Sequence, residues 1–258
     1  PLNLRREKLT LQYITKLRSN PDNPTHKCVF EPSFALLFEA KPSVIPPIGI
    51  RMKQHMSDTG IKFECIAKFS FSHVPPWTLE PPKFIFDVHA IGNKSEVPSE
   101  VFKSKVNEVL VNYDGYQRIY TDGSKAGTAV ASAAISGARL SIKRLPDSSS
   151  IFSAEARAIL LALNIVDMSA NERFLILSDS LSCLQSIENR KLFHPIILEI
   201  VTFIHRLIVN GKQLVFMWLP SHAGLAGNVA ADAAAKAALN LAESQTPVPY
   251  SDLYPLVH

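Results

Sequence analysis

Along residues 117–242 the hydrophobic pattern switches between a period of two and one of about 3.6, which predicts strands alternating with helices. Strands are expected at Gln117–Thr121, Ala129–Ser136 and Arg139–Leu145, followed by a helix at Ser153–Ser169. A strand at Phe174–Ser178, helices at Asp179–Asn189 and Pro195–Asn210, a strand at Gln213–Leu219 and a helix at Asn228–Leu241 complete the series. Phe174–Leu177 and Leu214–Leu219 are unbroken apolar runs, the texture of central strands covered on both faces. The helix at Pro195 gathers Ile197, Ile200, Val201, Ile204 and Leu207 on one stripe, with Glu199, Thr202 and Arg206 facing away. Successive strands followed by alternating helix and strand imply a mixed sheet with helices packed on it, an α/β architecture.

Upstream the pattern is sparser. The doublets Pro46-Pro47, Pro75-Pro76 and Pro81-Pro82 argue against long regular elements in the first hundred or so residues. Two helices are still expected there. One repeats Leu9, Tyr13 and Leu17 at four-residue spacing; the other is capped by Ser99, carries Phe102, Val106, Val109 and Leu110 on one face, and ends at Asp114-Gly115. Prolines thin out and alanine rises from Tyr116, which places a boundary near residues 112–117. The chain thus divides into a proline-rich, partly helical connecting region at 1–112, an α/β domain at 113–243 and a tail at 244–258.

Composition adds little beyond an ordinary globular class, with 258 residues, 47% hydrophobic and 19% charged. The net charge of +4 and a pI near 8.9 permit polyanion binding, although no run of five basic residues occurs. Cys28, Cys65 and Cys183 are odd in number and outside any CxxC spacing, which suggests neither a disulfide framework nor a zinc site. The most apolar stretch, Ile196–Val209, is interrupted by Glu199, His205 and Arg206 and is too short for a bilayer, so no membrane association is expected. A chain beginning at Pro1 without a secretory leader reads as a piece of a longer protein.

The candidate chemistry lies in four carboxylates, Asp122, Glu155, Asp179 and Asp232, placed in the order strand, helix, strand end, helix. Each has a bland explanation. Asp122-Gly123 is a hairpin-turn signal, Glu155 complements a helix dipole, Asp179 caps a helix, and Asp232 precedes Lys236 by four residues as a surface ion pair. Two like charges about 4 Å apart repel by roughly 4 kcal/mol at an effective dielectric near 20, so a cluster of all four calls for divalent cations. The loop Trp218-Leu219-Pro220-Ser221-His222-Ala223-Gly224 precedes the last carboxylate and offers His222 to a common site.

The segments Tyr120-Thr121-Asp122-Gly123-Ser124, Ala154-Glu155, Ser178-Asp179-Ser180, Pro220-Ser221-His222-Ala223-Gly224-Leu225-Ala226-Gly227-Asn228 and Ala231-Asp232 together resemble the ribonuclease H family of type 1. More narrowly, they resemble the ribonuclease H end of a non-LTR retrotransposon polyprotein, over about Gln117–Ala242. The resemblance implies a mixed five-stranded sheet, three antiparallel strands then two parallel ones, with helices on both faces. It also implies endonucleolytic hydrolysis of the RNA strand of RNA/DNA hybrids with two Mg2+ ions, for which Mn2+ substitutes. Asp122 would bridge both metals, Asp232 would help hold the ion that activates water, and Glu155 with Asp179 would hold the ion at the leaving oxygen. His222 would handle protons or aid product release, while Gly123, Ser124, Ser180 and Asn228 would lie at the hybrid backbone. The implied partners are the hybrid and the reverse transcriptase region of the parent polyprotein, in an intracellular setting, nucleus or cytoplasm.

Three positions depart from the family pattern without removing a metal ligand. Val229 replaces a glutamate, Leu181 a glutamine, and Ile151-Phe152 an asparagine pair of some cellular members; only Arg190–His194 stands where some members insert a basic helix. These departures motivate an alternative, a catalytically weakened nucleic-acid-binding remnant. A different nuclease or transposase on the same broad fold is a third reading.

Overall fold

The computed structural model describes residues 2–31, 35–41, 43–51, 57, 61–69, 80–88, 98–221 and 224–256. The chain forms two compact units, one of residues 1–72 with 245–258 and one of residues 73–244. This division differs from a boundary at 112–117, because the segment before it contributes a strand and a helix to the second unit. The C-terminal segment belongs with the first unit.

In the first unit, helices α1 (Leu2–Ser19), α2 (Thr25–Phe30) and α3 (Ala35–Ala40) precede a C-terminal 3₁₀ segment, Tyr250–Leu256. The buried face of α1 is Leu11, Ile14 and Leu17, packed with Val29, Phe30, Ile61 and Phe63. The expected stripe is therefore rotated: Leu9 is 56% and Tyr13 46% exposed. A four-residue repeat drifts around a 3.6-residue helix, and the i, i+3 series Leu11, Ile14, Leu17 competes with it for the core. A second cluster joins Ile66 to Val248 and Leu253, fastened by Ala67 N–H donating to the Val248 carbonyl and Val248 N–H to the Cys65 carbonyl, each at 2.8 Å.

The second unit contains β1 (Lys83–Ile85), α4 (Ser99–Val111), β2 (Gln117–Ala126), β3 (Ala129–Ser136), β4 (Arg139–Leu145) and α5 (Ile151–Asp167). It continues with β5 (Arg173–Ser178), α6 (Leu181–Glu188), α7 (Pro195–Val209), β6 (Gln213–Trp218) and α8 (Ala226–Ala238). The strands form one mixed sheet in the order β1-β6-β5-β2-β3-β4, antiparallel across β2, β3 and β4 and parallel elsewhere. The α/β class and the antiparallel-then-parallel arrangement stand, with a sixth strand added at the edge. Its three residues follow Pro81-Pro82 and carry no readable alternation; proline is tolerated there because an edge strand needs fewer ladder donors. Phe84 secures it by stacking on Phe216 at 5.3 Å.

The central strands β5 and β6 each bury their last five residues, as their apolar runs require. The predicted stripe of α7 is buried with Glu199, Thr202 and Arg206 exposed, and α4 buries Phe102, Val106, Val109 and Leu110. Ser99 is the first helical residue of α4, not its cap, which is Pro98. On β3 the small residues Ala131, Ala133 and Ala134 are wholly buried, as are Ala231, Ala235 and Ala238 of α8, so helix and sheet approach closely. Arg144 of β4 is also buried: its guanidinium donates to the carbonyls of Val130 (2.9 Å) and Leu239 (3.2 Å) and pairs with Asp147. Among the described residues no helix is long and apolar enough to cross a membrane.

Candidate metal centre

The site begins with the register of two parallel strands. β2 and β5 run side by side to the pair Thr121 and Ser178, so the next residues, Asp122 within β2 and Asp179 just past the end of β5, lie at the same level. The Thr121 hydroxyl donates to the Leu177 carbonyl at 3.1 Å and fixes this step. The parallel pairing ends there, but β2 itself continues to Ala126, with Asp122 opposite Ala133 and Gly123 opposite Ser132. Asp122-Gly123 is therefore not the hairpin turn. The turn is five residues on, where Gly127 takes the left-handed φ of +58°.

Gly123 lets the helix in. A Cβ there would lie 2.7 Å from the Glu155 backbone nitrogen and 2.9 Å from the Ala154 carbonyl carbon, so only glycine permits this approach of β2 to α5. The Ser132 hydroxyl, opposite Gly123, donates to the Ala154 carbonyl at 2.7 Å on the same face. Because side chains alternate, Tyr120 and Asp122 point to the other face. There α8 is admitted by Gly227, whose Cβ would meet the Tyr120 ring at 2.2 Å. Helices thus cover both faces of β2, and α8 brings Asp232 towards Asp122.

The helix-dipole and helix-cap explanations also shift. Helix α5 starts at Ile151 with Ser150 as N-cap, its hydroxyl accepting from Ser153 N–H at 3.1 Å, so Glu155 lies beyond the first turn. Ser180, not Asp179, is the N-cap of α6. Asp179 is instead held by its own backbone, since the Trp218 indole N–H donates to its carbonyl at 3.0 Å. The ion-pair reading of Asp232 is realised, with Lys236 Nζ at 2.8 Å from its carboxylate on a half-exposed surface.

Asp122, Glu155 and Asp179 each offer a carboxylate oxygen within 4.8 Å of the other two. Burial, then Asp179 and Asp232, push the Asp122 carboxyl up to about 7, against a partial opposing effect of Lys236. Burial, then Asp179 and Asp122, push Glu155 well above the carboxylate range, offset in part by the Gly123 N–H donating to it. Asp122 is thus common to two interactions, one with Glu155 and Asp179, the other with Asp232. Glu155 Oε2 is buried and accepts no hydrogen bond from any described residue. An orphaned oxygen in an all-oxygen donor set suits a hard divalent cation, so the residues fit such an ion.

The other expected site residues that are described lie next to the carboxylates in sequence or on the elements that carry them. Gly123 and Ser124 lie on β2, and Ser180 follows Asp179 with its N–H donating to the Ser178 hydroxyl at 3.2 Å. Asn228 is buried in α8, and its Oδ1 accepts nothing from the described residues. His222 lies outside the described residues. Sequence reasoning missed Trp218, Ser132 and the packing role of Gly227. The available signal was a Trp at the end of a strand beside the candidate loop, and a Ser among alanines on β3.

The fold and site define an α/β domain in which three carboxylates meet where parallel strands end, a donor set that could hold a divalent cation. Residues 115–240 match the family model for RNase H, and this part of the chain is a domain of that family. Comparison with curated proteins returns no match.

Proposed function

We propose that the chain is an endonuclease that hydrolyses the RNA strand of RNA/DNA hybrids, acting as the ribonuclease of a retroelement polyprotein. The observation that carries this reading is the convergence of Asp122, Glu155 and Asp179 within 4.8 Å in a domain of the RNase H family. These three, with Asp232 beside Asp122, would hold two magnesium ions, or manganese in their place; when bound, such ions supply activation of water and neutralisation of the developing phosphate charge. Asp122, shared by both interactions, is suited to the bridging position. The Gly123 N–H supports the Glu155 carboxylate, and the Trp218 indole N–H holds the backbone of Asp179. Ser124, Ser180, Asn228 and His222 are assigned to the hybrid backbone and to proton handling or product release. Recognition rests on backbone and 2′-hydroxyl groups, with slight sequence preference.

Incubation with Mg2+ and labelled hybrid, duplex DNA, duplex RNA and single-stranded RNA tests the proposal. Only the hybrid should be cut, and Asp179→Asn should abolish product. Equal cutting of all four substrates, or undiminished cutting by Asp179→Asn, would sink it. One observation favours the alternative of a weakened nucleic-acid-binding remnant: the Asp232 carboxylate is engaged by Lys236 at 2.8 Å. That reading predicts salt-sensitive hybrid binding without metal-dependent product.

A further inference from the structure

We propose that the solvent face of α1 is a surface that grips the phosphate backbone of nucleic acid. The charge of the chain is divided unequally. The first unit carries eleven Lys and Arg against seven Asp and Glu, which is the whole +4, whereas the second carries sixteen of each. A neutral unit presenting a carboxylate cluster exerts little long-range attraction on a polyanion. A tethered basic surface elsewhere in the chain supplies that attraction by raising the effective concentration of substrate.

Within the first unit, α1 buries Leu11, Ile14 and Leu17 and turns Arg5, Arg6, Leu9, Tyr13 and Lys16 to solvent. These five recur at helical spacing and form one stripe. Arg5, Arg6 and Lys16 make no ion pair among the described residues, in contrast to Arg18, whose guanidinium donates to the Phe63 carbonyl at 3.3 Å and lies 5.1 Å from the Phe30 ring centre. From Arg5 to Lys16 the stripe runs about 16 Å along the helix axis, a length over which one strand of a duplex passes about five phosphates. Leu9 and Tyr13 lie between the charges, where apolar surface can rest on sugar. The biological use of this surface rests on the nucleic-acid substrate proposed above; its binding does not depend on catalysis.

The test uses the full chain carrying Asp179→Asn, a fluorescent RNA/DNA hybrid and a salt titration. R5Q/R6Q/K16Q keeps good helix formers and should retain its circular dichroism. It should weaken binding about tenfold near physiological salt and make the log–log salt slope shallower by about two to three. K103Q/R139Q/K143Q, which removes as many charges from the second unit, should change both far less. An unchanged slope in R5Q/R6Q/K16Q, or an equal change in the second set, overturns the proposal. So does loss of binding to phosphatidylserine vesicles with hybrid binding intact, which would assign the face to a membrane. If the chain with Asp179 intact cuts no hybrid while the slope still responds to R5Q/R6Q/K16Q, the proposed activity falls and this inference stands.

Discussion

Gly123 and Glu155 meet so closely that a Cβ on Gly123 would lie 2.7 Å from the Glu155 backbone nitrogen. The glycine does two jobs at this point: it admits α5 to the sheet, and its N–H supports the Glu155 carboxylate. Geometry and charge are therefore coupled at a single residue.

Gly123→Ala forces backbone against backbone, with no flexible side-chain end to yield. It should cost about 1–3 kcal/mol in urea unfolding, as overpacking does, and blunt the stabilisation by Mg2+. Wild-type stability together with a wild-type Mg2+ response would show that β2 and α5 separate freely.

The second close approach makes a different prediction, because the obstructing group is a ring. Gly227→Ala places a methyl 2.2 Å from Tyr120 Cε2, which can be relieved by trimming the ring. Gly227→Ala should destabilise by about 1–3 kcal/mol. In combination with Tyr120→Ala the losses should fall short of their sum by at least about 0.5 kcal/mol. Additive losses in the double-mutant cycle would remove the contact from the account of how α8 is seated.

Much of this architecture was legible in the chain, and the misses share a cause. Strands with long apolar runs, β5 and β6, declare themselves because burial on both faces leaves one texture, and α7 does so because its stripe is wide. The ends of elements were harder. Asp122-Gly123 looked like a turn because the local rule knows dipeptides, whereas the ladder of β2 with Ala133 and Ser132 is a long-range pairing. Strand β1 has three residues and owes its existence to Phe216 across the sheet, which no window around Lys83 contains. The carboxylates were readable as an ordered set. That Gly123 and Gly227 admit the two helices bearing Glu155 and Asp232 was not, since the partners are distant in sequence.

Protonation should stabilise the metal-free protein at this site. Asp122 is raised from 3.8 to about 7 and Glu155 is raised as well, so between those values the folded chain binds more protons than the unfolded chain. The contribution is present in full below about pH 4 and is lost as pH rises through about 7. In EDTA, the urea midpoint of the wild type relative to Asp122→Asn should fall between pH 4 and 8, and millimolar Mg2+ should restore it at pH 8. A difference that is flat or rising over this window would mean that burial and the neighbouring carboxylates do not hold these groups protonated.

Lys236 holds the carboxylate of Asp232 and opposes the upward push on Asp122, so it neutralises part of the field that attracts a cation. Because Lys236 is exposed and Asp232 partly so, Lys236→Ala should leave the thermal midpoint of the metal-free protein nearly unchanged. The Mg2+ concentration that gives half of the maximal stabilisation should fall about twofold or more, and the effect should shrink as salt screens the charge. A rise in that concentration would mean instead that Lys236 orients Asp232 for the metal, and the ion pair would then be part of the site and not a competitor for it.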